Sequence, residues 1–234
     1  MKIGILAAGD TPTILREKYQ SFADMTADMI RSYLPQAKFE YFDVKGGQFP
    51  EKLDEMVAWV ITGSVHCANE ELPWMLKLEA LINELNQNKQ CLIGICFGHQ
   101  IIAKALGGSI EQYAGGWGVG LHEYQWKNDE HQTSFLPAFH QDQVVQAPKN
   151  AKVLLTSSFC KNAALLYDQN IFTCQFHPEF SNDFEQDLLS LFQESTIPVS
   201  VADKAHRSLS ERPSDNPVIG QWIGELIASR AAGS

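Results

Sequence analysis

Residues 91–106 read CLIGICFGHQIIAKAL, and this stretch decides the fold. Its beginning, residues 91–95, is a short apolar run that is long enough for a buried strand and too short for a helix. The run enters a Gly-x-Cys-x-Gly turn at residues 94–98, and apolar residues then recur at helical spacing until Gly107. A strand that passes into a helix through glycine, a nucleophile and glycine is a nucleophile elbow, here with Cys96 as the nucleophile.

The turn suits a cysteine nucleophile for two physical reasons. Glycines permit a strained backbone and the close approach of strand and helix, which side chains at these positions would block. The N-terminus of the following helix lies under Cys96, and its unpaired N–H groups and dipole stabilise a thiolate. The alternative is a small buried hydrophobic residue, which is the interpretation we favour for Cys91, Cys160 and Cys174.

Strands and helices alternate through the first half of the chain. This alternation predicts an α/β fold with a doubly wound, mostly parallel open sheet of the flavodoxin-like kind. In such sheets the ligand site lies beyond the carboxyl ends of the strands. Gly63, Ser64 and Cys96 each follow a predicted strand, so we expect them to meet at that edge. The predicted strands are residues 2–7, 39–42, 58–62 and 91–95, and the predicted helices are residues 22–34 and 72–85.

The second half has a different pattern. Short strand-like runs follow one another after Gly108, which predicts antiparallel strands added to the sheet. A helix is expected from about residue 183 to 192, residues 196–213 are interpreted as a polar connection with two prolines, and Asn216-Pro217 begins a last helix. We expect residues 1–194 to form one domain, with residues 195–234 as a connection and a helix packed on it. The added strands are predicted at residues 109–112, 121–126, 144–146, 153–156, 163–167 and 171–175.

Composition excludes several classes of partner. The 234 residues suffice for one α/β domain, and 44% hydrophobic with 20% charged residues is an ordinary globular balance. A net charge of −10 argues against nucleic acid and anionic membranes as partners, and no apolar run approaches the roughly 18 residues of a membrane span. Five cysteines without paired spacing favour a reducing cytoplasm. Because nucleotide-binding loops and paired metal-ligand spacings are missing from the sequence, we expect no cofactor and no metal.

A cysteine nucleophile needs a base, and the base needs an orienting partner. His177 lies just after the last predicted strand, Pro178 restrains its backbone, and Glu179 is placed to accept a hydrogen bond from the imidazole. The acidic residues of the following helix, residues 183–194, are interpreted as a solvated face. The elbow and the His-Pro-Glu motif together predict a Cys-His-Glu catalytic triad.

These motifs give the sequence a resemblance to a known family. GICFGHQ at residues 94–100 with His-Pro-Glu at residues 177–179 resembles the class I (triad-type) glutamine amidotransferases. Residues 61–64 correspond to the oxyanion loop of that family, and residues 139–144 resemble a His-x-Asp-x-Val segment of the GMP synthetase glutaminase. The resemblance covers about residues 1–192, and the chain carries no synthetase domain, so it is similar to a stand-alone member.

The resemblance implies a mechanism and a set of residues. Cys96 would attack the side-chain amide of glutamine, His177 would transfer protons, and Glu179 would orient His177. Backbone N–H groups of the oxyanion loop, at Gly63 and Ser64, and of the residue after the nucleophile would hold the oxyanion. Three further residues fall where relatives contact the substrate. The second oxyanion donor is Phe97, and the substrate-binding candidates are Gln100, Gly116 and Trp117.

Several functions remain open at this point. The small-molecule substrate is glutamine or another γ-glutamyl compound, and the chain is either a free-standing hydrolase or a subunit that supplies ammonia to a separate synthase. The oxyanion loop reads Gly63-Ser64-Val65 rather than the two glycines and proline of many relatives, which favours the free-standing enzyme. A catalytically silent glutamine-binding module is the alternative from another class. A cysteine peptidase is disfavoured by the Gly-His-Gln that follows Cys96.

Overall fold

The fold is built around one sheet whose parallel half carries the elbow. The computed structural model describes residues 1–129, 131–193 and 195–231, and within them nine strands form this sheet. Five neighbouring strands are parallel, in the spatial order β2-β1-β3-β4-β11. They are Lys2–Ala7 (β1), Lys38–Asp43 (β2), Ala58–Ile61 (β3), Cys91–Ile95 (β4) and Ile171–Cys174 (β11).

Antiparallel strands extend the sheet beyond β11. Four of them continue the sheet in the order β10-β9-β6-β7, and the remaining two, β5 and β8, form a separate small antiparallel sheet. This addition to a parallel sheet confirms the predicted architecture. The strands are Ser109–Gln112 (β5), Gly118–Trp126 (β6), Thr133–His140 (β7), Asp142–Gln146 (β8), Ala151–Thr156 (β9) and Ala164–Tyr167 (β10).

Helices cover both faces of the parallel half, as a doubly wound sheet requires. Successive side chains of a strand point to opposite faces, so Ile5 packs with the first and last helices whereas Leu6 packs with the second and third. The last helix buries Ile219, Ile223 and Ile227 against the same sheet. The helices are Phe22–Arg31 (α1), Pro73–Gln87 (α2), Phe97–Ala105 (α3), Asn182–Phe192 (α4), Val199–Glu211 (α5) and Asn216–Ala231 (α6).

Two segments differ from the sequence-based expectation. The interpretation of residues 196–213 as a connection is wrong, because α5 occupies most of it and buries Ala202, Ala205 and Leu209. Pro198 is the N-cap residue of α5 and Pro213 lies beyond its end, so the prolines delimit the helix instead of breaking it. Strand β7 is not among the predicted strands; it contains Pro137 and lies at the edge of the sheet, where proline is tolerated.

Candidate active site

The register of the sheet brings the two motifs together. Strands β4 and β11 are parallel neighbours in which Ile95 lies opposite Cys174, and the Cys96 N–H donates to the Cys174 carbonyl at 2.8 Å. Cys96 is therefore the first residue beyond one strand end, and His177 is the third beyond the other. The His177 N–H donates to the Pro137 carbonyl at 2.8 Å, which ties the His-Pro-Glu loop to β7.

Cys96 has the strained backbone that an elbow requires. Its φ of 51° and ψ of −100° place it in a region that residues other than glycine rarely adopt. A Cβ on Gly98 would lie 2.4 Å from the Ile61 carbonyl oxygen, and one on Gly94 would lie 2.7 Å from the backbone of Gly98. Both flanking glycines are thus required by the close approach of β4, α3 and β3.

His177 and Glu179 form a buried pair beside Cys96. The imidazole Nδ1 and the Glu179 Oε1 are 2.8 Å apart, and both side chains are almost fully buried. Burial opposes protonation of His177, but the charges of Glu179 and Cys96 outweigh it and raise the pKa of His177 to about 10. The Phe180 ring lies parallel to the imidazole with ring centroids 4.0 Å apart, which fixes the plane of the base.

The candidate oxyanion loop lies against the same residues. A Cβ on Gly63 would stand 3.0 Å from His177 Cε1 and 3.8 Å from Cys96 Cβ, so both side chains border this glycine. Within the described part of the chain, the backbone N–H groups of Ser64 and Phe97 have no hydrogen-bond partner, and Phe97 begins α3. These two groups are available to a negatively charged oxygen next to Cys96.

Gln100 reaches the site through a chain of amides. Its Nε2 donates to the Asp142 carbonyl at 3.0 Å and to Gln175 Oε1 at 3.2 Å. The Gln175 Nε2 in turn lies 3.6 Å from the Cys96 sulfur. Gln175 was not a candidate from sequence, although its position two residues before His177 marks it as part of the same strand end.

One cavity of about 390 Å³ opens onto the Cys96 and His177 side chains. Trp117 lines this cavity, whereas Gly116 does not: it occupies a turn at φ 86° in which its N–H donates to the Tyr113 carbonyl. The lining contains both polar and apolar residues. The polar ones, called the polar side here, include His66, Cys67, Gln100, Gln112, Gln141 and Asp142, and the apolar ones include Phe22, Trp117, Phe139, Phe180, Leu188 and Phe192.

Glu185 departs from the expected solvated face. It is completely buried on α4, where its Oε1 accepts the Gly120 N–H at 2.7 Å, and burial raises the pKa of this carboxyl to about 8. Glu185 shares the buried stripe of α4 with Leu188 and Leu189, at helical spacings of three and four. That spacing is the sequence signal that distinguishes it from its exposed neighbours.

Across the described ranges, no helix is long and apolar enough to cross a membrane, and no cluster of three or more histidine, cysteine or acidic side chains is arranged to hold a metal ion.

Comparison with known proteins identifies the class of protein. The sequence profile of glutamine amidotransferase class-I matches residues 18–194, so the chain belongs to this family. A crystal structure of a glutamine amidotransferase from Thermotoga maritima shares the fold with a TM-score of 0.75 over 99% of both chains, at 20% identity.

Two of the curated relatives carry the names of different activities. Gamma-glutamyl peptidase 4 of Arabidopsis thaliana is 32% identical over 165 residues, which are 65% of this chain and 66% of that protein. One subunit of the glutamine-hydrolyzing GMP synthase of Methanococcus aeolicus is 38% identical over 101 residues, which are 41% of this chain and 54% of that protein. The matches thus span just under two thirds of the first relative and about half of the second. Together with membership of the glutamine amidotransferase family, they support a hydrolase or an amidotransferase.

Proposed function

We propose that this chain is a free-standing hydrolase that cleaves a γ-glutamyl amide through a thioester on Cys96. The observation that carries the proposal is the strained Cys96 beside a buried His177 that pairs with Glu179 at 2.8 Å. The raised pKa of His177 favours an imidazolium beside Cys96, where its positive charge stabilises negative charge on a nucleophilic sulfur. Membership of the glutamine amidotransferase family supports a γ-glutamyl substrate.

The proposed reaction has two halves. The Cys96 sulfur attacks the γ-carbonyl carbon, a C–S bond forms, and the C–N bond breaks as His177 gives its proton to the leaving amine. Water then attacks the thioester, His177 takes up a proton from it, and glutamate is released with the thiolate regenerated. Glu179 keeps the imidazole in the required orientation and stabilises its charged form.

The oxyanion of each half needs donors that are already in place. We assign this role to the N–H groups of Phe97 and Ser64, with Gly63 allowing the loop to approach Cys96 and His177. A single donor of this kind contributes on the order of 3 kcal/mol to the transition state. Gln100 has an indirect role: it donates a hydrogen bond to the Gln175 side chain, and the Gln175 amide in turn donates to the Cys96 sulfur.

A second candidate is a glutaminase subunit that supplies ammonia to a separate synthase. The similarity to one subunit of a GMP synthase favours it, whereas the similarity to gamma-glutamyl peptidases favours the free-standing enzyme. A silent glutamine-binding module is the third candidate, and the complete Cys-His-Glu set speaks against it.

We also propose that residues 1–194 carry the catalytic residues and that the C-terminal segment belongs to the same domain, because α5 and α6 bury their apolar faces against it. The five cysteines are unpaired, which supports a reducing compartment such as the cytoplasm.

The test is release of glutamate by the purified chain from glutamine and from a γ-glutamyl dipeptide. Cys96→Ala should abolish turnover and keep the fold. The control is Cys91→Ala, which changes a buried cysteine of β4 and should keep both turnover and the fold. Turnover of either substrate by the chain alone supports the free-standing hydrolase. If neither reacts but a glutamine-like electrophile still labels Cys96, the synthase-dependent glutaminase is favoured; a Cys96 that also resists labelling refutes the proposal.

A further inference from the structure

The cavity is larger than glutamine hydrolysis requires. The leaving group of glutamine is ammonia, which needs no binding wall of its own, yet the space next to Cys96 measures about 390 Å³ and continues along an aromatic surface. A volume of this size is within the range of sites that hold small organic ligands.

The apolar lining residues pack against one another, and several of the polar lining residues hydrogen-bond one another. Phe139 lies 6.0 Å from Trp117 and 5.8 Å from Phe192 between ring centroids, and Phe22 lies 5.5 Å from Phe180. We call this surface the apolar wall. Residues of the polar side bind one another instead: Gln100 donates to the Asp142 carbonyl at 3.0 Å, and Gln112 donates to Gln141 at 3.0 Å.

The chemistry decides which wall receives the leaving group. In the proposed reaction His177 protonates the departing nitrogen, so this nitrogen must lie on the His177 side of Cys96. The imidazole stacks on Phe180 at 4.0 Å, and Phe180 packs against Phe22, so the apolar wall begins at the base itself. The amine leaves along this wall, and the glutamyl group extends toward the polar side.

Charge restricts the leaving amine further. Among the described lining residues there is no lysine or arginine, and the acidic side chain on the polar side is Asp142. A carboxylate suits the α-ammonium group of the glutamyl part. An acidic leaving group placed on the apolar wall would lose its hydration, because the described lining residues include no lysine or arginine and His177 gives its proton to the departing nitrogen.

We propose that the preferred substrates are γ-glutamyl amides of apolar, uncharged amines with a side group about the size of a phenyl ring. This inference rests on the proposed function and names its substrate class. The apolar wall removes the ring from water, while the bond changes at Cys96 and His177 are those already described. Apolar contacts of this kind discriminate between substrates by about 10-fold or more.

The experiment compares γ-glutamylphenethylamide with γ-glutamylmethylamide, whose leaving amines differ mainly in the ring, on the full chain. We expect kcat/KM to be at least about 10-fold higher for the phenethylamide. γ-Glutamylphenylalanine, which keeps the same ring and adds a carboxylate on the carbon that bears the amide nitrogen, should be the poorer of the two aromatic substrates. An equal or better rate for it would overturn the restriction to uncharged amines.

A variant tests the wall itself. Phe192→Ala removes one ring of the apolar wall and should lower the ratio of the two kcat/KM values severalfold, whereas Leu191→Ala, an exposed neighbour on α4, should leave the ratio unchanged. Equal kcat/KM values for the phenethylamide and the methylamide in the unmodified chain would overturn this inference and leave the proposed γ-glutamyl hydrolysis intact. No release of glutamate from any of these amides or from glutamine would remove the proposed function and this inference with it.

Discussion

Replacing Glu179 with glutamine removes the charge that keeps His177 protonated. The substitution Glu179→Gln preserves the size of the side chain and an oxygen within reach of Nδ1, so it isolates the charge from the hydrogen bond at 2.8 Å. Burial alone would lower the pKa of His177, and the carboxylate is the larger of the two charges that raise it to about 10. The variant should therefore hold a neutral imidazole at a pH where the native chain holds an imidazolium.

The expected size of the effect follows from the pKa shift of His177. A rise from 6.5 to about 10 corresponds to about 5 kcal/mol in favour of the imidazolium. An opposite charge at this distance accounts for about 1 to 3 pH units, so the pKa of His177 in the variant should lie between about 7 and 9. Because His177 must be protonated to release the amine, activity is present below this pKa and is lost as the pH rises through it.

The assay is kcat/KM for glutamate release measured from about pH 5 to 11. We expect the alkaline limb of the native profile near pH 10 and that of Glu179→Gln at least about one unit lower. Asp183→Asn removes an exposed carboxylate at the start of α4 and should leave the limb in place. NMR titration of His177 reads the same shift even if the variant is inactive, and a pKa that stays near 10 would refute the role given to Glu179.

Three further predictions concern the framework of the site. Gly98→Ala places a Cβ 2.4 Å from the Ile61 carbonyl oxygen and should lower the free energy of unfolding by about 1 to 3 kcal/mol in urea titrations. Because the pKa of the Glu185 carboxyl is raised, the native chain loses stability as the pH rises from about 4.5 to about 8. Glu185→Gln removes this loss, so the unfolding free energy of the variant minus that of the native chain should increase from pH 5 to pH 8. Ser181→Ala removes the acceptor of the Phe184 N–H at the start of α4 and should cost about 1 kcal/mol, or about 2 to 4 °C in Tm.

Each of these has a matched control. In Gly46→Ala the nearest atoms to the new Cβ belong to the exposed Asp43 carboxylate, which can turn away at the loss of one exposed hydrogen bond from the Gly46 N–H, so a cost as large as that of Gly98→Ala would contradict the packing argument. Glu84→Gln changes an exposed glutamate and should show no comparable pH-dependent gain. Ser190→Ala affects a hydroxyl that bonds within α4, and equal losses for the two serine variants would contradict the capping role.

The sequence alone predicted an element correctly where the hydrophobic periodicity, the length of the apolar run and the flanking turn residues all indicated the same structure. Strands β1 and β4 occupy the predicted residues, because a short apolar run between turn signals has few alternatives. Two missed elements involve proline: β7 contains Pro137, and α5 begins after Pro198, which the sequence analysis assigned to a connection. In both cases the deciding fact is position, at a sheet edge or at a helix terminus, which tertiary structure supplies.

The sequence by itself determined the candidate reactive groups, because the elbow and the His-Pro-Glu motif each place such a group within three residues of a strand end. Only the tertiary structure decided that β4 and β11 are neighbours, which brings Cys96 and His177 together across 81 positions of the chain. It also decided the surroundings, since the burial of Glu185 and the stacking of Phe180 on His177 depend on the packing of α4. Motifs are local in sequence, whereas the walls of a cavity come from distant segments whose contacts no local pattern encodes.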